Sequence, residues 1–226
     1  MALTKFNYNS FDVTPVASKA LAFNSDADGL TTAAEGSMVL IKELTASSSA
    51  TLSFVDGASD VVLDSTYPTY LFKFINIHPQ TNGEYFEFNM SVDTGSNYNV
   101  AKTTSTFYAG HNEDNGYAVL TYIANQHLSQ GTGFQHVSYS LAANNDSSVS
   151  GELWLFNPSD TTFVKHFTST TNEETNGPRS THRYTGGYGN TTSAVDAVRF
   201  QMTSGNIDSG TIKLYGIKDS LWLFLD

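Results

Sequence analysis

A chain of 226 residues with 39% hydrophobic and 13% aromatic residues is long and apolar enough to fold around one core, which excludes disorder over most of its length. Its formal charge of −11 repels phosphate backbones and anionic lipid headgroups, so we expect no nucleic-acid partner. Because cysteine is absent, disulfide frameworks, thiolate zinc sites and cysteine nucleophiles are excluded.

The N-terminal residues lack the continuous apolar region of a secretory signal. No run of the sequence approaches the ~20 apolar residues of a membrane span. We therefore expect synthesis in the cytoplasm and no membrane insertion.

Residues 1–36 are predicted to form an extended arm. Their aromatic residues are spaced too irregularly for a strand or a long helix. Such a segment is poorly ordered alone, so we expect it to lie on another surface. The candidate attachment residues of this arm are Phe6, Tyr8, Phe11 and Phe23.

The arm contains the string NSDADGLTTAAE at 24–35, which has the spacing of an EF-hand calcium loop. The candidate ligands are Asn24, Asp26, Asp28 and Glu35. Asn occupies the first position instead of Asp, and a strand candidate follows Gly36 where an exit helix is needed. An Asx and Gly turn in a polar arm is the favoured interpretation, with calcium as the alternative and no other cofactor expected.

From Met38 onward, apolar and polar residues alternate with the period of β-strands. Glycine and asparagine stand in the joints, as at 81–83, 93–97 and 204–206, where positive φ angles are needed. The pattern predicts an all-β fold, an antiparallel jelly-roll-like β-sandwich over 37–218, with the arm before it and a short tail, 219–226, after it. The ten predicted strands are 38–44, 50–55, 70–77, 85–93, 117–124, 134–141, 152–156, 163–168, 196–203 and 211–217.

No catalytic residue is predicted. The six histidines are scattered, and Glu87, Glu113, Asp114 and Glu152 form no recognisable pair for glycoside hydrolysis. The glycine-rich string 185–190 lacks the strand-to-helix setting of a phosphate loop and is predicted to be a loop. A carbohydrate-active enzyme is therefore the least favoured function, and we expect no enzyme.

Twelve tyrosines are the remaining functional signal, because tyrosine stacks on sugar rings through an apolar body with a polar tip. The candidates for an exposed glycan contact are Tyr117, Tyr122, Tyr184 and Tyr188. Ordinary packing within the sandwich is the favoured alternative.

Two segments carry apolar residues on both faces. In 152–156, Leu153 and Leu155 point one way while Trp154 and Phe156 point the other. The second face needs cover by the arm, the tail or a neighbouring subunit, and we favour a subunit. The tail is likewise an unbroken apolar run that must insert or dock, through Leu221, Trp222, Leu223, Phe224 and Leu225.

The sequence resembles a β-rich module of surface and fibre-like virion proteins in marine tailed bacteriophages. The resemblance covers roughly 38–218. It implies a displayed, non-enzymatic virion component that forms a homotrimer. The strings that carry it are TASSSATLSF (45–54), STYPTYLFKFINIHP (65–79), EFNMSVDTGSNYN (87–99), SGELWLFNPSDTTFVKHFTSTTN (150–172) and GYGNTTSAVDAVRFQMTSGNIDSGTIKLYGIK (187–218).

We therefore expect a structural protein of the virion surface, made in the host cytoplasm. The favoured seat is that of a capsid decoration (cement) protein or head fibre, because the chain is short and has no shaft repeats. Its partners are then itself and the major capsid or tail proteins. The alternative is a tail fibre or adsorption module that binds host surface glycans.

Overall fold

The structure, a computed structural model, describes residues 37–218 together with the backbone of 21–23 and 30–32. Within this part of the chain the fold is all-β, with fourteen strands and no helix, as the sequence predicts. The strands are β1 (Leu21–Phe23), β2 (Leu30–Thr32), β3 (Met38–Ser49), β4 (Leu52–Val55), β5 (Thr69–Pro79), β6 (Phe86–Ser91), β7 (Lys102–Asn112), β8 (Ala118–Tyr122), β9 (Gln135–His136), β10 (Val149–Phe156), β11 (Lys165–Glu174), β12 (Arg179–Gly189), β13 (Ala197–Met202) and β14 (Ile207–Ile217).

All strand pairs are antiparallel, which confirms the predicted sheet type. The large sheet has eight strands in the order β3-β14-β5-β10-β11-β12-β7-β8. A second sheet has the order β4-β13-β6-β9, and β1 pairs with β2 alone. The chain crosses repeatedly between the two larger sheets, for example from β5 to β6 and from β13 to β14.

Phenylalanine rings fill the space between the two larger sheets. Phe200 of β13 lies at the centre, with its ring centroid 5.2 to 6.3 Å from five other rings. Phe72 and Phe74 of β5 meet Phe200 and Phe86 from the opposite sheet at 5.3 and 5.1 Å. These edge and tilted contacts bury large apolar areas and favour the native arrangement beyond simple burial.

The other half of the large sheet, formed by β11, β12 and β7, has a polar inner face. Its buried side chains include Lys102, Glu173 and Arg183, none of them more than 1% exposed. The irregular segment 123–148 covers this face and supplies partners. Gln126, for example, accepts a hydrogen bond from Arg183, and the backbone N–H of Tyr139 donates to Glu173 Oε1 at 2.8 Å.

Three neighbouring strands are irregular at the same level of the large sheet. Bulges interrupt the pairing at Gly151 of β10 and around Gly210 of β14, and Asn76 of β5 has a φ of 51°. A Cβ at Gly210 would lie 2.5 Å from the Asn76 carbonyl oxygen, and one at Gly151 would lie 2.2 Å from that of Thr170. Glycine is therefore required at both positions, and aligned bulges bend the strands here into a crease.

Nine of the ten predicted strands correspond to observed ones, and four differences occur. The polar strands β7 and β12 have no predicted counterpart, and the predicted loop 185–190 is largely the end of β12. Predicted strand 134–141 shrinks to Gln135–His136, because turns and a single bridge at Leu141 occupy the rest. The arm, predicted to contain no strand, contributes β1 and β2. Among the described residues, no helix is long and apolar enough to cross a bilayer.

Candidate functional site on the eight-stranded sheet

One face of the eight-stranded sheet points away from the other sheet and is here called the outer face. It belongs to the largest sheet of the described chain. In β10, Leu153 and Leu155 are fully buried in the core, whereas Phe156 is 39% exposed and Trp154 half-buried on the outer face. This is the two-faced pattern predicted for 152–156. The strand pairs with β11 as an antiparallel hairpin, which the apolar runs around Asn157 and Pro158 also predict.

One end of the outer face carries an aromatic platform, defined by Phe107, Leu120, Tyr122 and Tyr184. The strand register places Phe107 between Tyr184 of β12 and Tyr122 of β8. The rings of Phe107 and Tyr184 stack with centroids 5.0 Å apart. All four side chains are exposed, Leu120 most of all at 72%. The platform therefore offers flat apolar surface to solvent.

Polar groups surround this platform. The Tyr122 hydroxyl and Nδ1 of His127 are hydrogen-bonded at 3.1 Å, and the ring of His182 packs edge-on against Tyr184 at 4.7 Å. Apolar rings bordered by hydroxyl and imidazole groups are the combination that stacks on a sugar while hydrogen-bonding its hydroxyls.

A groove of about 420 Å³ runs beside the platform across β7, β12 and β11. Its centre is open because Gly186 has no side chain; a Cβ there would meet no atom closer than 3.9 Å. The groove is lined by Thr103, Thr104, Ser105, Phe156, His166, Phe167, Thr168, Gly186, Gly187 and Tyr188. Its lining combines hydroxyl and imidazole groups with the rings of Phe156 and Tyr188, which suits a sugar ligand.

The outer face over β3 to β10 carries a second apolar cluster, here called the Trp154 patch and defined by Met38, Leu40, Trp154 and Phe156, the last of which also lines the groove. One row across four paired strands contains Leu40, Tyr215, Leu71 and Trp154. Met38 and Phe156 lie at the two ends of the next row but one along the same strands. Met38 and Leu40 are about half exposed. The Trp154 indole N–H is directed to Glu152 Oε1 at 2.9 Å, which fixes the ring on the sheet.

A charged row lies next to the row of Trp154 and continues through Thr170 into the row of the aromatic platform. Lys213 Nζ lies 2.9 Å from Glu43 Oε2, and this hydrogen-bonded carboxylate raises the pKa of Lys213. Lys73 and Glu152 continue the row and line a shallow groove of about 340 Å³ with His182. Surface charges of this kind contribute little to stability but set which partners approach.

Three of the four predicted glycan tyrosines share the outer face. Tyr122, Tyr184 and Tyr188 lie there, with Tyr188 packed against His166 at 6.0 Å. Tyr117 does not join them, because its ring lies under the Arg179 guanidinium at 4.9 Å on the opposite side of the sheet. Phe107 and Gly186 complete the site and were not predicted, since both lie on the strands that the sequence pattern does not reveal.

Several predicted site residues lie outside the described side chains. They are the calcium candidates Asn24, Asp26, Asp28 and Glu35, the arm residues Phe6, Tyr8, Phe11 and Phe23, and the tail residues Leu221, Trp222, Leu223, Phe224 and Leu225. The backbone on either side of 24–29 forms the antiparallel pair β1 and β2. Across the rest of the described chain, no three His, Asp or Glu side chains meet as a metal site.

Comparison with protein-family models, with curated proteins and with solved structures finds no match. Functional inference therefore depends on the geometry of the outer face and on the sequence resemblance.

Proposed function

We propose that this protein is a non-enzymatic structural protein of the surface of a tailed bacteriophage virion, a capsid decoration (cement) protein or head fibre that assembles as a homotrimer. The observation that carries the proposal is the Trp154 patch. Four large apolar side chains stand on the outer face of a sheet whose other face already has a complete core. Exposed apolar clusters of this kind are typical of assembly surfaces.

We further propose that the two sheets form a jelly-roll sandwich, a fold common in capsid proteins. The order β3-β14-β5-β10 faces the order β4-β13-β6-β9. Successive strands of these eight alternate between the two sheets except β6 and β9, which are neighbours in one sheet, as in a jelly roll. On this interpretation, β7-β8 and β11-β12 are two hairpins inserted into the roll. They extend one sheet and create the groove and the platform.

The assembly surface is tested by changing Trp154→Ser in the full chain and measuring the oligomer by sedimentation. We expect the trimer to dissociate at concentrations where the unchanged protein stays assembled, while the monomer remains folded. Leu120→Ser, on the aromatic platform, is the matched control and leaves the trimer intact. Equal loss of monomer stability and assembly would place Trp154 in the core of the monomer and contradict the proposal.

Incorporation into the particle is tested by deleting 221–226. The sequence predicts this apolar tail to be an attachment segment, so the deletion is expected to lower binding to capsids stripped of this protein. The sandwich is expected to keep its melting temperature. Unchanged oligomer and unchanged capsid binding would count against an assembly role for the tail.

A second candidate function is adsorption to host surface glycans, favoured by the shared face of Tyr122, Tyr184 and Tyr188. Gly186→Val places a branched side chain in the groove at a strand position where a Cβ would meet no atom closer than 3.9 Å. Calorimetry with purified bacterial surface polysaccharides is expected to show binding that Gly186→Val abolishes. Tyr117→Ala, on the other side of the sheet, is the control. Binding to host cells rather than to stripped capsids would favour this function over the first.

A further inference from the structure

A buried lysine and a buried asparagine meet at the join between the two larger sheets. Lys102 begins β7 of the eight-stranded sheet, and Asn89 lies in β6 of the other sheet. Lys102 Nζ lies 2.5 Å from Asn89 Oδ1 and 2.8 Å from the carbonyl oxygen of Val100. Both side chains are fully buried. The amine is therefore held beside the side-chain amide of Asn89, away from water.

The amide of Asn89 has a fixed orientation. Its Nδ2 donates to the carbonyl oxygens of Tyr98 and Thr132 at 2.6 and 3.0 Å, so the nitrogen is identified by two acceptors. Its Oδ1 accepts the backbone N–H of Met90 at 2.8 Å in addition to the bond from Lys102. A carbonyl held by a backbone N–H is polarised and can stabilise the negative charge that develops on oxygen when a nucleophile adds to carbon.

The surroundings also supply the reactive form of the amine. Burial lowers the pKa of Lys102 to about 7, against an opposing effect of the Glu87 carboxylate, which lies two residues before Asn89 on β6. An appreciable fraction of the amine is then neutral near pH 7, and only a neutral amine has the lone pair needed for attack.

We infer that Lys102 and Asn89 form an intramolecular amide bond between Nζ and Cγ. The Nζ lone pair attacks Cγ, the bond from Cγ to Nδ2 breaks, and Nδ2 leaves as ammonia after taking one proton from Nζ. The product is a secondary amide, with no oxidation or reduction and no co-reactant. No separate activating group is needed, because the Lys102 amine and the Asn89 amide are held in contact and each has a high effective concentration at the other. The bond ties the two sheets together covalently.

This inference is independent of the proposed function and is tested on the purified full chain by intact mass spectrometry. The expected mass is below the sequence mass by one ammonia molecule. After denaturation, trypsin is expected to cleave after Lys165 but not after Lys102. Lys165 is the internal control, because it is also fully buried but donates to the carbonyl oxygens of Phe163 and Thr191. Chymotrypsin, cleaving after Tyr98, is expected to leave the two flanking peptides joined.

Substitutions distinguish this bond from other losses of ammonia. Asn89→Asp is expected to lose water instead of ammonia, and Lys102→Arg is expected to keep its full sequence mass. A succinimide at Asn82-Gly83 would also release ammonia, but cleavage after Lys102 would then be normal. Full mass, or normal cleavage after Lys102, in the folded unchanged protein overturns the inference whatever the variants do.

Discussion

The two halves of the eight-stranded sheet have different interiors. Strands β14, β5 and β10 face the other sheet with phenylalanine, leucine and isoleucine, whereas β11, β12 and β7 face segment 123–148 with threonine, arginine and glutamate. The apolar half is stabilised by the area that it removes from water. The polar half depends on satisfied hydrogen bonds, because an unpaired buried polar group is costly. One continuous sheet thus combines two kinds of packing.

The sharpest test of the apolar half is Phe200→Ala. The change removes a fully buried ring from the centre of five others, and we expect a loss of about 3–5 kcal/mol in the free energy of unfolding, measured by urea denaturation. Phe163→Ala, at a side chain 69% exposed, is the control and is expected to change it by less than about 0.5 kcal/mol. A small effect at Phe200 would mean that the sheets do not share one core.

The polar half is tested by Arg183→Met. Arg183 donates to Gln126 Oε1 and to Thr106 Oγ1, so the apolar replacement leaves both acceptors without this donor. We expect a loss of about 2 kcal/mol in the same urea experiment. An unchanged or higher free energy of unfolding would show that these hydrogen bonds do not stabilise the polar half. The proposed difference between the two halves would then be wrong.

A smaller, pH-dependent effect is expected at Glu173. Burial raises the pKa of this carboxyl from 4.5 to about 8. Between these values the unfolded chain has released the proton while the folded chain keeps it, so stability falls as pH rises, by at most about 1.4 kcal/mol per pH unit. Glu173→Gln is expected to flatten the pH dependence of the melting temperature, whereas Glu113→Gln, at an exposed turn position, leaves it unchanged. An unchanged slope in Glu173→Gln would mean that the carboxyl is ionised and paired when buried.

The same contrast explains how much of the fold could be predicted from the sequence. Strands β6 and β13 were predicted because their inward residues are apolar and alternate with polar ones. In β7 and β12, threonine, arginine and glycine dominate the inner face with Tyr108 as its one aromatic residue, whereas Phe107, Tyr184 and Tyr188 face outward. The core side of these two strands therefore carries no regularly spaced apolar residues, and neither strand was predicted from the sequence.

The candidate site was predictable only in part. The sequence offered Tyr117, Tyr122, Tyr184 and Tyr188 as candidates for an exposed patch, but the common face of the last three follows from the registers of β8, β7, β12 and β11. The role of Gly186 could not be predicted, because the sequence pattern indicated a loop at 185–190. In the structure Gly186 lies in β12, where the absence of a side chain leaves the groove open. Within 152–156, alternation was sufficient to separate the buried leucines from Trp154 and Phe156.

The crease at Gly151 and Gly210 is built by the main chain rather than by side chains on the outer face. The bend comes from main-chain bulges and from two positions that tolerate no side chain. It therefore does not depend on which side chains the outer face carries. Substitutions at exposed outer-face positions such as Leu120 and Tyr122 are therefore expected to change the surface that the sheet presents and to leave its bend in place.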